Sequence, residues 1–259
     1  MAHNHNRVTK LEGGAFTTAI GDGTVRTAVD SPLGVFYGYR TLGVYATTEA
    51  AEADGLHTMV GAVKEPFVAG DVRFVNQNGD DLIDDNDRVQ IGDPNADIFG
   101  GFTSVMRSRR FTLTADFAYS VGNDIYNYTR SVLESEKAYL NQTKAVLNRW
   151  RTEGDITSMP RAVYGDPHRN SRFSDRFIED GSYLKLKSVT LSYDLPIKST
   201  FLTGITVYGT CENVFTLTDY KGYDPEIIAS SSNNPLFQGV DAFTTPTART
   251  FYIGLKIGL

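Results

Sequence analysis

The chain has 259 residues, a formal net charge of −6, 24 Gly, 14 Tyr, 15 Phe and a single Cys. The acidic balance argues against a nucleic-acid partner, and one cysteine excludes an internal disulfide. A mean hydropathy of −0.27, with no apolar run of about 18 residues, excludes a membrane-spanning helix but not membrane-crossing strands, in which only every second residue is apolar.

Residues 2–11 read as a short polar strand ending at the turn Gly13-Gly14. His3 and His5 share its face, as polar wall residues or, alternatively, as a metal pair. Residues 31–45 are extended and aromatic, with Gly34, Gly38 and Gly43 interrupting the alternation. Residues 47–53 predict one or two helical turns, with Thr48 as N-cap. The clearest hairpin spans 98–122: Phe111, Leu113, Ala115, Phe117 and Tyr119 alternate with Thr112, Thr114, Asp116 and Ala118. Its basic connection is Ser108-Arg-Arg110. Asp116 in mid-strand requires a polar surrounding, because a carboxylate against lipid is costly.

Residues 123–181 form a long excursion. Val132/Leu133, Tyr139/Leu140 and Val146/Leu147 recur at a fixed spacing and Trp150 completes the stripe, which predicts an amphipathic helix of roughly twenty residues. In 183–195 the outward set is Val189, Leu191 and Tyr193, and Pro196 stops pairing. Residues 205–214 return, with Cys211 on the face of Ile205 and Val207. Residues 215–246 are another long polar loop. In the last strand Phe251, Ile253, Leu255, Ile257 and Leu259 alternate with Tyr252, Gly254, Lys256 and Gly258. In water such a strand invites edge pairing; a transmembrane barrel needs it. Short connections alternate with long ones, as periplasmic turns do with extracellular loops. The fold class expected for 1–259 is all-β, an antiparallel transmembrane β-barrel segment with long loops, one containing a helix. About seven candidate strands are too few for an aqueous-pore barrel, so they form part of a larger cylinder. The alternative is a soluble, calcium-containing carbohydrate-binding β-sandwich.

Residues 76–87 space oxygen ligands as a calcium loop does: Asn76, Asn78, Asp80, the Leu82 carbonyl, Asp84 and Asp87. Asn76 stands where a carboxylate is usual and Asp81 where glycine is. The competing reading is an acidic loop braced by Asx-turns. Asp219, Asp224 and Glu226, near Tyr220 and Tyr223, mimic a sugar-cleaving carboxylate pair, but nothing places two of them across a bond. His57 and His168 belong to no Ser/His/Asp arrangement. The chain reads as a non-enzyme.

Several stretches resemble landmarks of SusC/RagA-type TonB-linked outer-membrane transporters, in order. They are Gly70-Asp-Val-Arg-Phe74 with Asn76-Gln-Asn-Gly-Asp-Asp-Leu-Ile-Asp-Asp-Asn-Asp-Arg88 and Ile91-Gly-Asp-Pro-Asn95; Gly122-Asn-Asp-Ile-Tyr-Asn127; Asn148-Arg-Trp150; the block from Ser174 to Tyr193; the block from Asn213 to Glu226; and Pro246-Thr-Ala-Arg-Thr-Phe251. The resemblance covers nearly the whole chain and implies the C-terminal part of the barrel. Complete members are barrels of roughly 22 strands with a plugged lumen, and they work with a SusD-like lipoprotein that captures oligosaccharides or peptides. The chain contains neither the plug nor the segment that engages the TonB complex. No signal-peptide-like segment opens it, as expected of a processed form or fragment. The expected setting is the outer membrane, against its lipid. The family's extracellular loops meet lid and cargo; here those loops are 123–181 and 215–246, with Tyr220, Tyr223, Asn233, Asn234 and Phe237 as candidate contacts. Two departures stand out. Ile257 and Leu259 replace the usual terminal aromatics, and Arg149-Trp-Arg-Thr-Glu-Gly-Asp155 alters the family's Arg-Trp-Thr-Pro-Glu-Asn-Pro-like stretch.

Overall fold

A computed structural model describes residues 1–197, 201–226 and 235–258. Its frame is one antiparallel sheet of six strands in chain order: β1 (Ala2–His3), β2 (Ile98–Ser108), β3 (Phe111–Val121), β4 (Tyr183–Asp194), β5 (Gly204–Thr218) and β6 (Thr250–Gly258). The sheet is open, with β1 and β6 as its edges. β2 and β3 join through Arg109 and Arg110, a two-residue turn made possible by the left-handed Arg109 (φ 54°). β4 and β5 join at the same end. All the long connections (4–97, 122–182 and 219–249) leave from the other end.

Register divides the sheet into two chemically distinct faces. Phe111, Leu113, Ala115 and Phe117 lie opposite Ser108, Met106, Ser104 and Phe102 on one side, and opposite Tyr193, Leu191, Val189 and Leu186 on the other. Val207, Gly209 and Cys211 continue these rows into Leu255, Ile253 and Phe251. Aromatic pairs stack within this face: the Phe102 and Phe117 rings are 4.6 Å apart, as are Phe111 and Tyr193. The opposite face carries Thr103, Asp116, Ser188, Thr190, Thr210, Glu212 and Tyr252.

A bulge at Lys187 keeps the apolar residues of β4 on one face. Pairing steps from Asp116/Ser188 to Phe117/Leu186, so the even-numbered Leu184 and Leu186 join the odd-numbered Val189, Leu191 and Tyr193. Opposite the bulge, Asn213 is left-handed (φ 53°), which absorbs the extra residue. The apolar face is uncovered: Ile253 is 85% and Phe251 72% exposed. A soluble sandwich would bury these residues under a second sheet, and none of the other sheets lies over them.

Those other sheets belong to a cap made by the long connections. Phe16–Ile20, Gly23–Thr27, Val35–Gly38 and Val89–Gly92 form a four-stranded sheet. One core joins Ile20, Val25 and Phe36 of the first connection to Tyr126, Phe173 and Phe177 of the second and Val240 of the third. A second core holds Tyr39, Tyr45, Phe67, Val72, Phe74 and Ile83. Gly70 has φ +83°, and a Cβ there would lie 2.5 Å from the Trp150 ring, so only glycine admits this contact between connections.

Four expectations are corrected. The first strand is Ala2–His3 rather than 2–11, because from Val8 the chain bonds to Asp30 and Ser31 of the cap; His3 and His5 therefore share no strand beyond His3. Residues 31–45 lie in the cap, not in the wall. Thr47, not Thr48, caps helix α1 (Thr48–Asp54), its side chain accepting from the Ala50 N–H. The twenty-residue helix is absent: α2 is Tyr128–Leu133, followed at a distance by a 3-10 turn, Lys144–Asn148. Val146 is buried while Tyr139, Leu140 and Leu147 are exposed, so the spaced residues share no buried face, and Glu136 is left-handed (φ 51°). Leu259 lies outside the described residues.

Candidate functional site

The polar face carries side-chain hydrogen bonds between neighbouring strands. Thr103 Oγ1 and Ser188 Oγ donate to the two oxygens of Asp116, each at 2.6 Å. Thr190 and Thr210 hydroxyls meet at 2.8 Å, and Tyr252 donates to Glu212 at 2.9 Å. Asp116 thus sits on the polar face, as its mid-strand position required. Toward the long-connection end, Lys185 is buried and its Nζ donates to Asp224 (2.8 Å) and Glu226 (3.1 Å); Lys187 Nζ holds the other Glu226 oxygen at 2.5 Å. A lysine among Leu184 and Leu186 was the sequence signal for this cluster, and periodicity alone does not reveal its partners.

The cluster ties Asp224 and Glu226 to lysines and does not leave them as a free carboxylate pair. Burial pushes the Asp224 carboxyl up, but hydrogen bonds from Lys185, the Glu226 N–H and Thr247 outweigh it and hold the carboxyl below its usual range. A general acid for glycoside hydrolysis needs the reverse.

The candidate contact residues separate. Tyr220 is buried, and its hydroxyl donates to Asp241 at 2.5 Å. Burial and that carboxylate push its ionisation far up, so Tyr220 is a bolt within the cap. Phe237 packs against the first core. Tyr223 is 79% exposed at the rim of a pocket of about 450 Å³ that also takes in Arg130, Glu134, Thr143, Met159 and Asp241. Arg130 is held there by Glu134 and Glu179. Asn233 and Asn234 lie outside the described residues.

The acidic loop closes on itself. Asn76 Oδ1 accepts from Gly79 N–H and its amide donates to the Asp80 carbonyl; Asn78 Oδ1 accepts from Asp80 N–H. Asp80 accepts from Leu82 N–H, Asp84 from Asn86 N–H, and Asp87 from Gln77 and Asp84 N–H. Asp81, where glycine was expected, pairs with Lys64 at 2.5 Å. The geometry shown is that of stacked Asx-turns.

One buried cluster lay beyond sequence reasoning. Asp71, fully buried, accepts from Arg161 Nε (2.8 Å), Asn170 Nδ2 (2.9 Å) and Val68 N–H (2.9 Å), with His168 Nδ1 at 2.7 Å. His168 Nε2 lies 3.3 Å from Glu65. It ties the first connection to the second. Gly70-Asp71 stood out as a motif, but its partners are some ninety residues away in sequence.

No family model matches the chain. It is 34% identical over 231 residues to TonB-dependent receptor P3 of Formosa agariphila, covering 87% of this chain and 22% of that protein. With TonB-dependent receptor SusC of Bacteroides thetaiotaomicron it shares 28% identity over 261 residues, 98% of this chain and 23% of SusC. A solved structure of the RagAB peptide transporter superposes with a TM-score of 0.74 at 22% identity, covering 99% of this chain and 26% of that one. The chain therefore spans between 22% and 26% of the length of the curated relatives it matches. Over nearly its whole length the chain is similar to one portion of TonB-dependent receptors, SusC among them, and it shares the fold of the corresponding part of the RagAB transporter.

Proposed function

We propose that, within a complete receptor of this kind, the chain supplies wall and extracellular cap to an outer-membrane importer of oligosaccharides or peptides. The observation that supports this is the two-faced sheet with every long connection at one end. Its apolar face packs against outer-membrane lipid, and its polar face borders the passage. The cap meets a SusD-like lipoprotein and the arriving cargo, with Tyr223 as the exposed aromatic contact. Force for uptake comes from the TonB complex, engaged by parts of the receptor other than this chain. The chain performs no catalysis: Asp224 and Glu226 are spent on ion pairs with Lys185 and Lys187, and Asp80, Asp84 and Asp87 on turns.

The experiment places Tyr223→Ala and a deletion within 229–236 in the complete receptor, then measures growth on the imported nutrient and lipoprotein pull-down. Lost growth with normal barrel assembly is the expected result. Normal growth and normal pull-down in both would remove the cap from the import reading and leave the chain as barrel wall.

A further inference from the structure

Where the polar face meets the cap, one row of the sheet ends in Phe99, Ser120 and Tyr183, directly opposite one another on β2, β3 and β4. These residues form one side of a pocket of about 400 Å³, within the range of small-ligand sites. The cap closes the other side with Asn4, Asn95, Asn123 and Gln238. From the geometry we infer that this is a cargo subsite for an uncharged, hydroxyl-rich segment, that is, a neutral saccharide. The inference rests on the import reading and names the class of cargo that the site takes.

Its hydrogen-bonding groups are of both kinds and are partly free. Asn95 spends its amide on Leu33 and Asp93, leaving its carbonyl oxygen as an acceptor. Asn123 accepts from Ser120, leaving its amide as a donor. Among the described residues the Gln238 carboxamide and the Tyr183 hydroxyl have no hydrogen-bond partner. A sugar hydroxyl both donates and accepts, and so matches such a mixed lining. Phe99, half-exposed, adds a ring face for the apolar side of a pyranose.

Charge is the discriminating feature. Among the described residues Glu226 is the one carboxylate in the lining, and it is paired with Lys185 and Lys187. Among the described lining residues no free cation awaits a uronate or a peptide carboxylate, and no free anion awaits an ammonium. A charged cargo group would lose its water here without a partner, whereas a neutral one would not.

The test uses the complete receptor in its own host. A receptor-deletion strain is grown on starch, mannan, xylan and β-glucan, on polygalacturonate and alginate, and on a tryptic digest of casein. The complete receptor, its Gln238→Ala, Tyr183→Phe and Phe99→Ala variants and the triple variant that combines them are then returned, with heat-modifiable migration reporting assembly. The expected result is loss of growth on one of the neutral glycans, with an uptake KM raised about tenfold in the assembled Gln238→Ala variant and more in the triple variant. Dependence confined to the acidic glycans or the peptides overturns the inference, as does unchanged uptake KM in the assembled triple variant; import itself then stands. A deletion strain that grows normally on every substrate sinks the import reading, and the subsite with it.

Discussion

Asp71→Ala removes the acceptor that joins two connections of the cap. The carboxylate is fully buried and satisfies Arg161, Asn170 and the Val68 N–H, with His168 against it. Breaking a buried ion pair by deleting one partner costs about 3–5 kcal/mol, because the remaining charge and donors stay desolvated. Spread over a local opening of the cap, that raises the open population about a hundredfold to a few thousandfold, at roughly 1.4 kcal/mol per tenfold. Asp71→Asn keeps the shape and one acceptor oxygen but loses the charge, and should fall between variant and wild type. Hydrogen exchange of the complete receptor in detergent reads this out: amides in 65–73 and 159–172 should exchange faster, while those of β2 to β5 stay protected. Exchange in both segments within about threefold of wild type would show that the cluster does not hold the cap together.

Ile253→Arg should cost about 2–4 kcal/mol of barrel assembly if the residue faces lipid near mid-membrane, whereas Tyr252→Arg, beside Glu212, should assemble normally; urea titration of the folded receptor in vesicles compares them. Burial pushes the Glu136 carboxyl up to about 7, partly offset by Arg149 and Arg176, and both its oxygens lack hydrogen bonds. The folded state therefore holds this proton more tightly than the unfolded one, so its contribution to cap stability is present below the ordinary carboxylate range and is lost as pH rises toward 7. Glu136→Gln should abolish that slope and raise the cap's thermal midpoint at pH 8; an unchanged slope would refute the assignment. Calcium at about 1 mM should leave the thermal midpoint unchanged, because the loop's oxygens already accept from its own N–H groups. A rise abolished by Asp80→Ala would return the loop to metal binding.

The strands from 111 to 121 and from 250 to 258 were legible because their alternation is nearly unbroken. β4 was only half legible: its outward set changes parity at Lys187, and a two-residue period cannot announce a bulge that depends on Asn213 across the sheet. The false helix had the right spacing but no surface to bury its stripe, and Val146 and Trp150 were recruited separately by the cap. Two cap hairpins, Phe16–Ile20 with Gly23–Thr27 and His57–Val60 with Val63–Pro66, passed unread. Gly21-Asp22 and Gly61-Ala62, each with a left-handed glycine, were the turn signals that would have found them. Among candidate contacts, aromaticity could not separate buried Tyr220 from exposed Tyr223, because Asp241, the partner that fixes Tyr220, lies on the far side of the same loop.

The two-faced wall is tested by spin labels placed one at a time at residues 251 to 256 of the complete receptor in lipid vesicles, in a Cys211→Ser background. Labels at 251, 253 and 255 should collide readily with oxygen dissolved in the bilayer, and those at 252, 254 and 256 with a water-soluble nickel chelate, giving a two-residue oscillation. Uniform access to the nickel chelate along the strand would mean that Phe251, Ile253 and Leu255 face water, and the sheet would not be a membrane wall.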